Sequence, residues 1–209
     1  MDKTAPPRQW NILLGATGSV ASIKLPQIVD ELNKIPGANV KVVPTAAAYF
    51  FFKDATVNAR VHLDEEEWAT WKKKSDPVLH IELRKWADIM VIAPLDANTL
   101  AKIAGGLCDN LLTSVLRAWD TSRPVLVCPA MNTNMWVHPF TNKHLNVLQD
   151  TFDFQVVAPI SKTLACGDTG VGAMAEPETI AARVLDLLQN LENDQLADAD
   201  AIPDDTELN

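Results

Sequence analysis

The sequence predicts an α/β fold, with one open parallel sheet and helices on both faces, forming three layers in a single domain. Five short runs of β-branched and apolar residues recur along the chain, each ending at a small residue or a proline. Longer stretches with an apolar stripe at helical spacing alternate with them. At 209 residues and 47% apolar content, the chain is long enough and greasy enough to bury one full core.

The strand signals are NILLGA (11–16), NVKVVPT (39–45), IMVIAP (89–94), PVLVCPA (124–130) and FQVVAP (154–159). Short, largely continuous apolar runs of this length fit parallel strands covered on both sides. SVASIKLPQIVDELNKI (19–35) sets Val20, Ile23, Ile28, Val29, Leu32 and Ile35 largely on one side, with Pro26 interrupting it. ANTLAKIAGGLCDNLLTSVLRAWD (97–120) reads as two helices broken at Gly105–Gly106. PETIAARVLDLLQNL (177–191) starts at Pro177 and aligns Ile180, Val184, Leu187, Leu188 and Leu191. This βαβ rhythm is that of a Rossmann-like (flavodoxin-like) sheet, in which ligands bind at the carboxyl ends of the strands.

The domain is expected over 10–191. Residues 1–9 read as a flexible start: the stretch has charges and prolines but no apolar signal core, which suits an unprocessed cytoplasmic chain. From Glu192 to Asn209 there are seven acidic residues and no basic one, a composition expected to stay disordered as an acidic tail. A net charge of −9 argues against nucleic acid and anionic membrane as partners, and no apolar run approaches the ~20 residues of a membrane span. Cys108, Cys128 and Cys166 are odd in number and lack CxxC spacing, and the four histidines show no paired-ligand spacing, so neither a disulfide framework nor a metal site is expected.

Function should then lie in the loops after the strands. GATGSV (15–20) follows the first strand and opens a helix; its backbone N–H groups and Ser19 suit one terminal phosphate, although Ser19 equally reads as a helix cap. It lacks GxGxxG spacing, which disfavours a dinucleotide. Thr45 can reach the same ligand. In APLDANT (93–99), Asn98 or Thr99 can cap the next helix while Asp96 and Ala97 face the cleft. CPAMNTNMW (128–136) gathers Met131, Asn132, Met135 and Trp136; an amide can hold a carboxylate and methionine packs against flat rings, or the loop is ordinary packing. His80 reads as a helix-start or packing residue as readily as a catalytic one. In KTLACGDTGVGAMAE (162–176), Gly167, Gly170 and Gly172 permit close approach of a ligand and Cys166 is either reagent or filler.

Taken together, GATGSVASIK (15–24), SDPVLHIELRKWAD (75–88), APLDANTLAKIAGGLCDNLLTSVLRAWD (93–120), PAMNTNMW (129–136) and LACGDTGVGAMAEP (164–177) resemble the homo-oligomeric flavin-containing cysteine decarboxylases. The resemblance spans about Asn11 to Leu191 and is strongest to the eukaryotic coenzyme A branch. Bacterial relatives usually read P-A-S-A-N-T where Pro94–Thr99 reads PLDANT, with Leu95 and Asp96. It implies FMN, its phosphate at Gly18, Ser19 and Val20, with further contacts from Thr45, Ala46 and Ala47, from Asp96, Ala97, Asn98 and Thr99, and from Ala130.

It further implies decarboxylation of 4′-phospho-N-pantothenoylcysteine to 4′-phosphopantetheine: thiol oxidation to a thioaldehyde, loss of CO2, then reduction of the enethiol. His80 matches the catalytic histidine, Asn132 the amide that holds the substrate carboxylate, and Met135 a residue of the same motif. Cys166, flanked by Ala165 and Gly167, matches the acid of the last step on a substrate-covering loop. A homo-oligomer, a trimer or larger, with flavin near the subunit boundary is implied as well. Rival readings are a decarboxylase of peptide C-terminal cysteines, a flavin prenyltransferase, and a regulatory subunit inhibiting a protein phosphatase, which fungal relatives with acidic tails do.

Overall fold

Period-two geometry sends neighbouring residues of a strand to opposite faces of a sheet. Ile12, Leu14 and Ala16 enter one buried cluster while Leu13 enters another, so both faces of the first strand are covered. That strand, β1 (Trp10–Ala16), is central in a computed structural model that describes residues 8–163 and 169–200. With β2 (Ala38–Pro44), β3 (Arg60–Val61), β4 (Ile89–Leu95), β5 (Val125–Pro129) and β6 (Gln155–Val156) it forms a six-stranded sheet in the order β3-β2-β1-β4-β5-β6. Every pairing is parallel. All five expected strands are present. The last is shorter than expected because only Gln155 and Val156 pair, at the sheet edge, with Leu126 and Val127. The edge strand β3 is an addition.

Helix starts and stops follow local chemistry. Val20–Lys24 forms a 3₁₀ turn with Ser19 as its cap, and Pro26 then sits in the first turn of α1 (Leu25–Leu32), where its missing N–H costs nothing. The interruption expected near Pro26 is present, with a 3₁₀ turn ahead of the helix. After α2 (Ala46–Tyr49), α3 (Asp64–Thr70) and α4 (Leu79–Trp86) come α5 (Ala97–Ala104) and α6 (Leu111–Arg117), parted at Gly105–Gly106 as expected. Then follow α7 (Thr133–Trp136), α8 (Pro139–Phe152) and α9 (Pro177–Asp200). α9 runs nine residues beyond Leu191, where the apolar stripe ends; once a helix is nucleated each further residue adds a bond cheaply. Arg8 also donates to Gln195 on this extension. Residues 201–209 lie outside the described residues.

On one face of the sheet, Leu25, Ile28, Val29 and Leu32 of α1 meet Ile180, Val184 and Leu188 of α9. On the other, Leu83, Leu100, Leu112, Val115 and Leu148 draw α4, α5, α6 and α8 together. Each such fully buried side chain contributes roughly 1.5–3 kcal/mol.

Cys128 lies within β5 with no exposed surface, and burial pushes its thiol far above the ordinary range. Thiolate is the reacting species, so iodoacetamide is expected to leave Cys128 unmodified in the folded protein while labelling the exposed Cys108. Peptide mass mapping before and after denaturation checks this; native labelling of Cys128 contradicts it.

Candidate functional site

β1 and β4 lie side by side, yet the chain leaves β1 toward β2 on one flank and leaves β4 toward β5 on the other. Loops that diverge in this way open a crevice at the carboxyl ends of the strands. Buried Thr17 ties its two lips together. Its hydroxyl donates to the Pro94 carbonyl at 2.9 Å and accepts from the Asp96 N–H at 2.6 Å, and its own N–H donates to Pro94 at 3.1 Å. Thr17→Val removes both hydroxyl bonds at constant shape and is expected to cost about 1–3 kcal/mol. A lower urea midpoint with unchanged slope is the readout; an unchanged midpoint denies Thr17 this role.

A third lip comes from the segment after β5. The Ala130 N–H donates to Leu95 at 2.9 Å, and the Met131 N–H donates to Gly172 at 2.9 Å. Gly172 belongs to an antiparallel hairpin of β7 (Ile160–Thr163) and β8 (Thr169–Ala173). Its φ is +149°, and a Cβ there would come within 2.2 Å of the Met131 carbonyl. At Gly170 a Cβ would meet the Thr133 hydroxyl at 2.5 Å. These glycines let the hairpin lie directly on residues 131–133, against the Met131 backbone and the Thr133 side chain, and Gly172 also faces the cleft.

Together the three lips enclose a cleft of about 410 Å³. Eight of the expected site residues line it: Gly18, Ser19 and Val20 from the first loop, Asp96 and Ala97 from the second, Ala130, Asn132 and Met135 from the third. Asn132 caps α7, its side-chain oxygen accepting from the Asn134 N–H at 2.8 Å. Asp96 caps α5, accepting from the Thr99 N–H at 2.6 Å. A Cβ on Gly18 would stand 2.9 Å from the Ala47 Cβ and 3.0 Å from Asp96 Oδ2, so only glycine leaves that part of the cradle clear.

Other expected residues are not in the cleft walls. Thr45 is buried and caps α2, accepting from the Ala48 N–H at 3.2 Å; Ala46 and Ala47 are exposed on the same turn. Asn98 is exposed and Thr99 buried on the first turn of α5. His80 sits in the first turn of α4, whose cap residue Val78 has no polar side chain. Glu67 of α3 does the capping instead: one carboxylate oxygen accepts from the His80 N–H at 3.1 Å and the other meets the ring Nδ1 at 2.6 Å. Ala165, Cys166 and Gly167 lie outside the described residues.

Two lysines that the sequence reading did not single out also line the cleft, Lys24 from the 3₁₀ turn and Lys162 from β7. Both bind Glu176, and these hydrogen bonds, Lys24 first, hold its carboxyl below the usual range. Lys24 ends the GATGSVASIK stretch, but its partner is 152 residues away. The walls are otherwise apolar and small, with Ile23, Met131 and Met174 beside Ala21 and Ala173. A slot of this kind suits a flat aromatic ligand with a few fixed polar ends.

Known proteins share this arrangement. The flavoprotein family profile matches residues 3–189. The mouse phosphopantothenoylcysteine decarboxylase is 53% identical over 177 residues, covering 85% of this chain and 86% of the relative. Among solved structures, a cysteine-to-serine mutant of a PPC decarboxylase, in complex with pantothenoylaminoethenethiol, superposes with a TM-score of 0.83 at 50% identity, over 87% of this chain and all of its own. The FMN binding protein AtHal3 gives a TM-score of 0.80 at 50% identity, over 88% of this chain and 98% of its own. Apolar slot, switch-point loops and extended identity agree: the chain belongs to the flavoprotein family, in its phosphopantothenoylcysteine decarboxylase branch.

Proposed function

We propose that this protein is an FMN-dependent phosphopantothenoylcysteine decarboxylase, converting 4′-phospho-N-pantothenoylcysteine to 4′-phosphopantetheine in coenzyme A biosynthesis. The observation that carries this reading is the meeting of the GATGS, PLDANT and MNTNM loops around one apolar cleft in a chain 53% identical to such an enzyme. Gly18, Ser19 and Val20 would hold the FMN phosphate, and Asp96, Ala97 and Ala130 the rest of the cofactor; the glycine cradle and apolar walls fit it. Thr45, Ala46, Ala47, Asn98 and Thr99 border that position. Bound FMN supplies a two-electron acceptor and donor, which a simple amino-acid carboxylate lacks when CO2 departs.

The chain's own groups do the rest. Asn132 donates its amide to the substrate carboxylate, selecting the substrate and orienting the bond that breaks. Met135 packs beside it. Ile23, Met131 and Met174 keep water from the reacting carbon. His80 takes a proton in the oxidative half, and Cys166 gives one to the enethiol in the last step. The exposed Phe50, Trp68 and Trp71 support a homo-oligomer, a trimer in this reading, in which His80 serves a neighbour's site.

Purified protein is expected to be yellow with bound FMN, and incubation with 4′-phospho-N-pantothenoylcysteine should yield the decarboxylated thiol by mass. Protein that takes up no FMN and releases no CO2 overturns the assignment.

A further inference from the structure

Two consecutive glutamates of α3 each hold a histidine. Glu66 meets His62 Nδ1 at 3.1 Å but shares its carboxylate with Arg60 at 2.9 Å. Glu67 is given wholly to His80. We infer that Glu67 is a positioning residue whose carboxylate fixes His80 as the Nδ1–H tautomer, leaving Nε2 as the ring's proton acceptor. This rests on the reading of His80 as the group that takes a proton from substrate.

The geometry allows one assignment. An ionised carboxylate only accepts hydrogen bonds. Its two oxygens face two donors of the same residue, the backbone N–H at 3.1 Å and the ring at 2.6 Å. At that distance Nδ1 must bear hydrogen, and a neutral imidazole then has its lone pair on Nε2. Gripping backbone and ring together fixes ring orientation as well as tautomer. Both side chains are largely shielded, Glu67 at 12% and His80 at 27% exposure, so water competes poorly.

The helix that presents Glu67 is itself anchored. Asp64 at its start accepts from the Leu111 N–H of α6 at 2.9 Å. Burial raises the Asp64 carboxyl above its ordinary range, partly offset by that bond. Within the helix, the Thr70 hydroxyl donates back to the Glu66 carbonyl at 2.9 Å. A short helix tied to α6 at its start is a firm mount for one carboxylate. No local sequence pattern announces the pair, because Glu67 and His80 lie 13 residues apart across a loop.

Glu67→Gln tests it sharply. Glutamine offers one oxygen and one NH2 to two donors. With the oxygen kept by the backbone N–H, the NH2 faces Nδ1 and favours the Nε2–H tautomer. In 15N-histidine-labelled protein at mildly alkaline pH, long-range 1H–15N spectra are expected to show His80 as Nδ1–H in the wild type and Glu67→Asp. In Glu67→Gln they should show Nε2–H. The kcat for CO2 release should fall about 10²-fold in the glutamine variant, with KM nearly unchanged and aspartate restoring most of the rate; Glu65→Gln on the exposed side of α3 is the control. A wild-type His80 found as Nε2–H, or a glutamine variant with wild-type kcat, overturns the inference. If Glu67→Gln does not fold, the wild-type and aspartate spectra decide. Failure of the wild type to release CO2 would refute the decarboxylase reading and leave the tautomer to the spectrum.

Discussion

His80→Asn is expected to stop CO2 release, lowering kcat by about 10²–10⁴-fold, the usual worth of a placed general base. Asparagine retains a polar group within reach of Glu67 but cannot accept and pass on a proton near neutral pH. The loss should therefore fall on the chemical step and not on binding, so KM should change little. His80 sits in the first turn of α4, outside both buried clusters, which predicts a melting temperature and FMN content close to wild type. Those two controls matter, because they separate a catalytic loss from a folding loss. Turnover within about twofold of wild type would make His80 a helix-start residue held by Glu67 and nothing more.

The same histidine shows what a sequence can and cannot reveal. β1, β4 and β5 were legible because burial on both faces demands nearly continuous apolar residues: Ile12, Leu13 and Leu14 face alternate clusters and all are fully buried. β3 was not, since two residues paired with Lys41 and Val42 leave no pattern. Pro26 announced a break in the first helical segment but not the 3₁₀ turn ahead of it. The three cleft-forming loops were legible because each follows such a strand, and eight of their expected residues line one space. Partnerships were not. Thr17 with Asp96, Lys24 and Lys162 with Glu176, and Glu67 with His80 are set by packing of distant elements, and the separations run from 13 to 152 residues. Gly172 was legible for its freedom of φ; it lies against the backbone of Met131 and also lines the cleft.

Cys166→Ser is expected to separate the reaction into halves. In a single turnover CO2 release should persist within a few-fold of wild type and leave the flavin reduced, while formation of 4′-phosphopantetheine falls by about 10²-fold or more. A free thiol ionises near 8.5, and a serine hydroxyl surrenders its proton far less readily, so the carbon that must be protonated last receives none. The enethiol, two hydrogens short of the normal product, should then accumulate and be seen by mass. Neither described cysteine offers a substitute. Cys128 is sealed inside β5, and exposed Cys108 lies in the connection between α5 and α6, outside the cleft walls. The strands that bracket Cys166 in sequence, β7 and β8, are seated by Gly170 and Gly172 on the segment bearing Asn132, which places both ends of its loop beside the proposed carboxylate grip. Normal 4′-phosphopantetheine from the serine variant would show that another donor delivers the final proton.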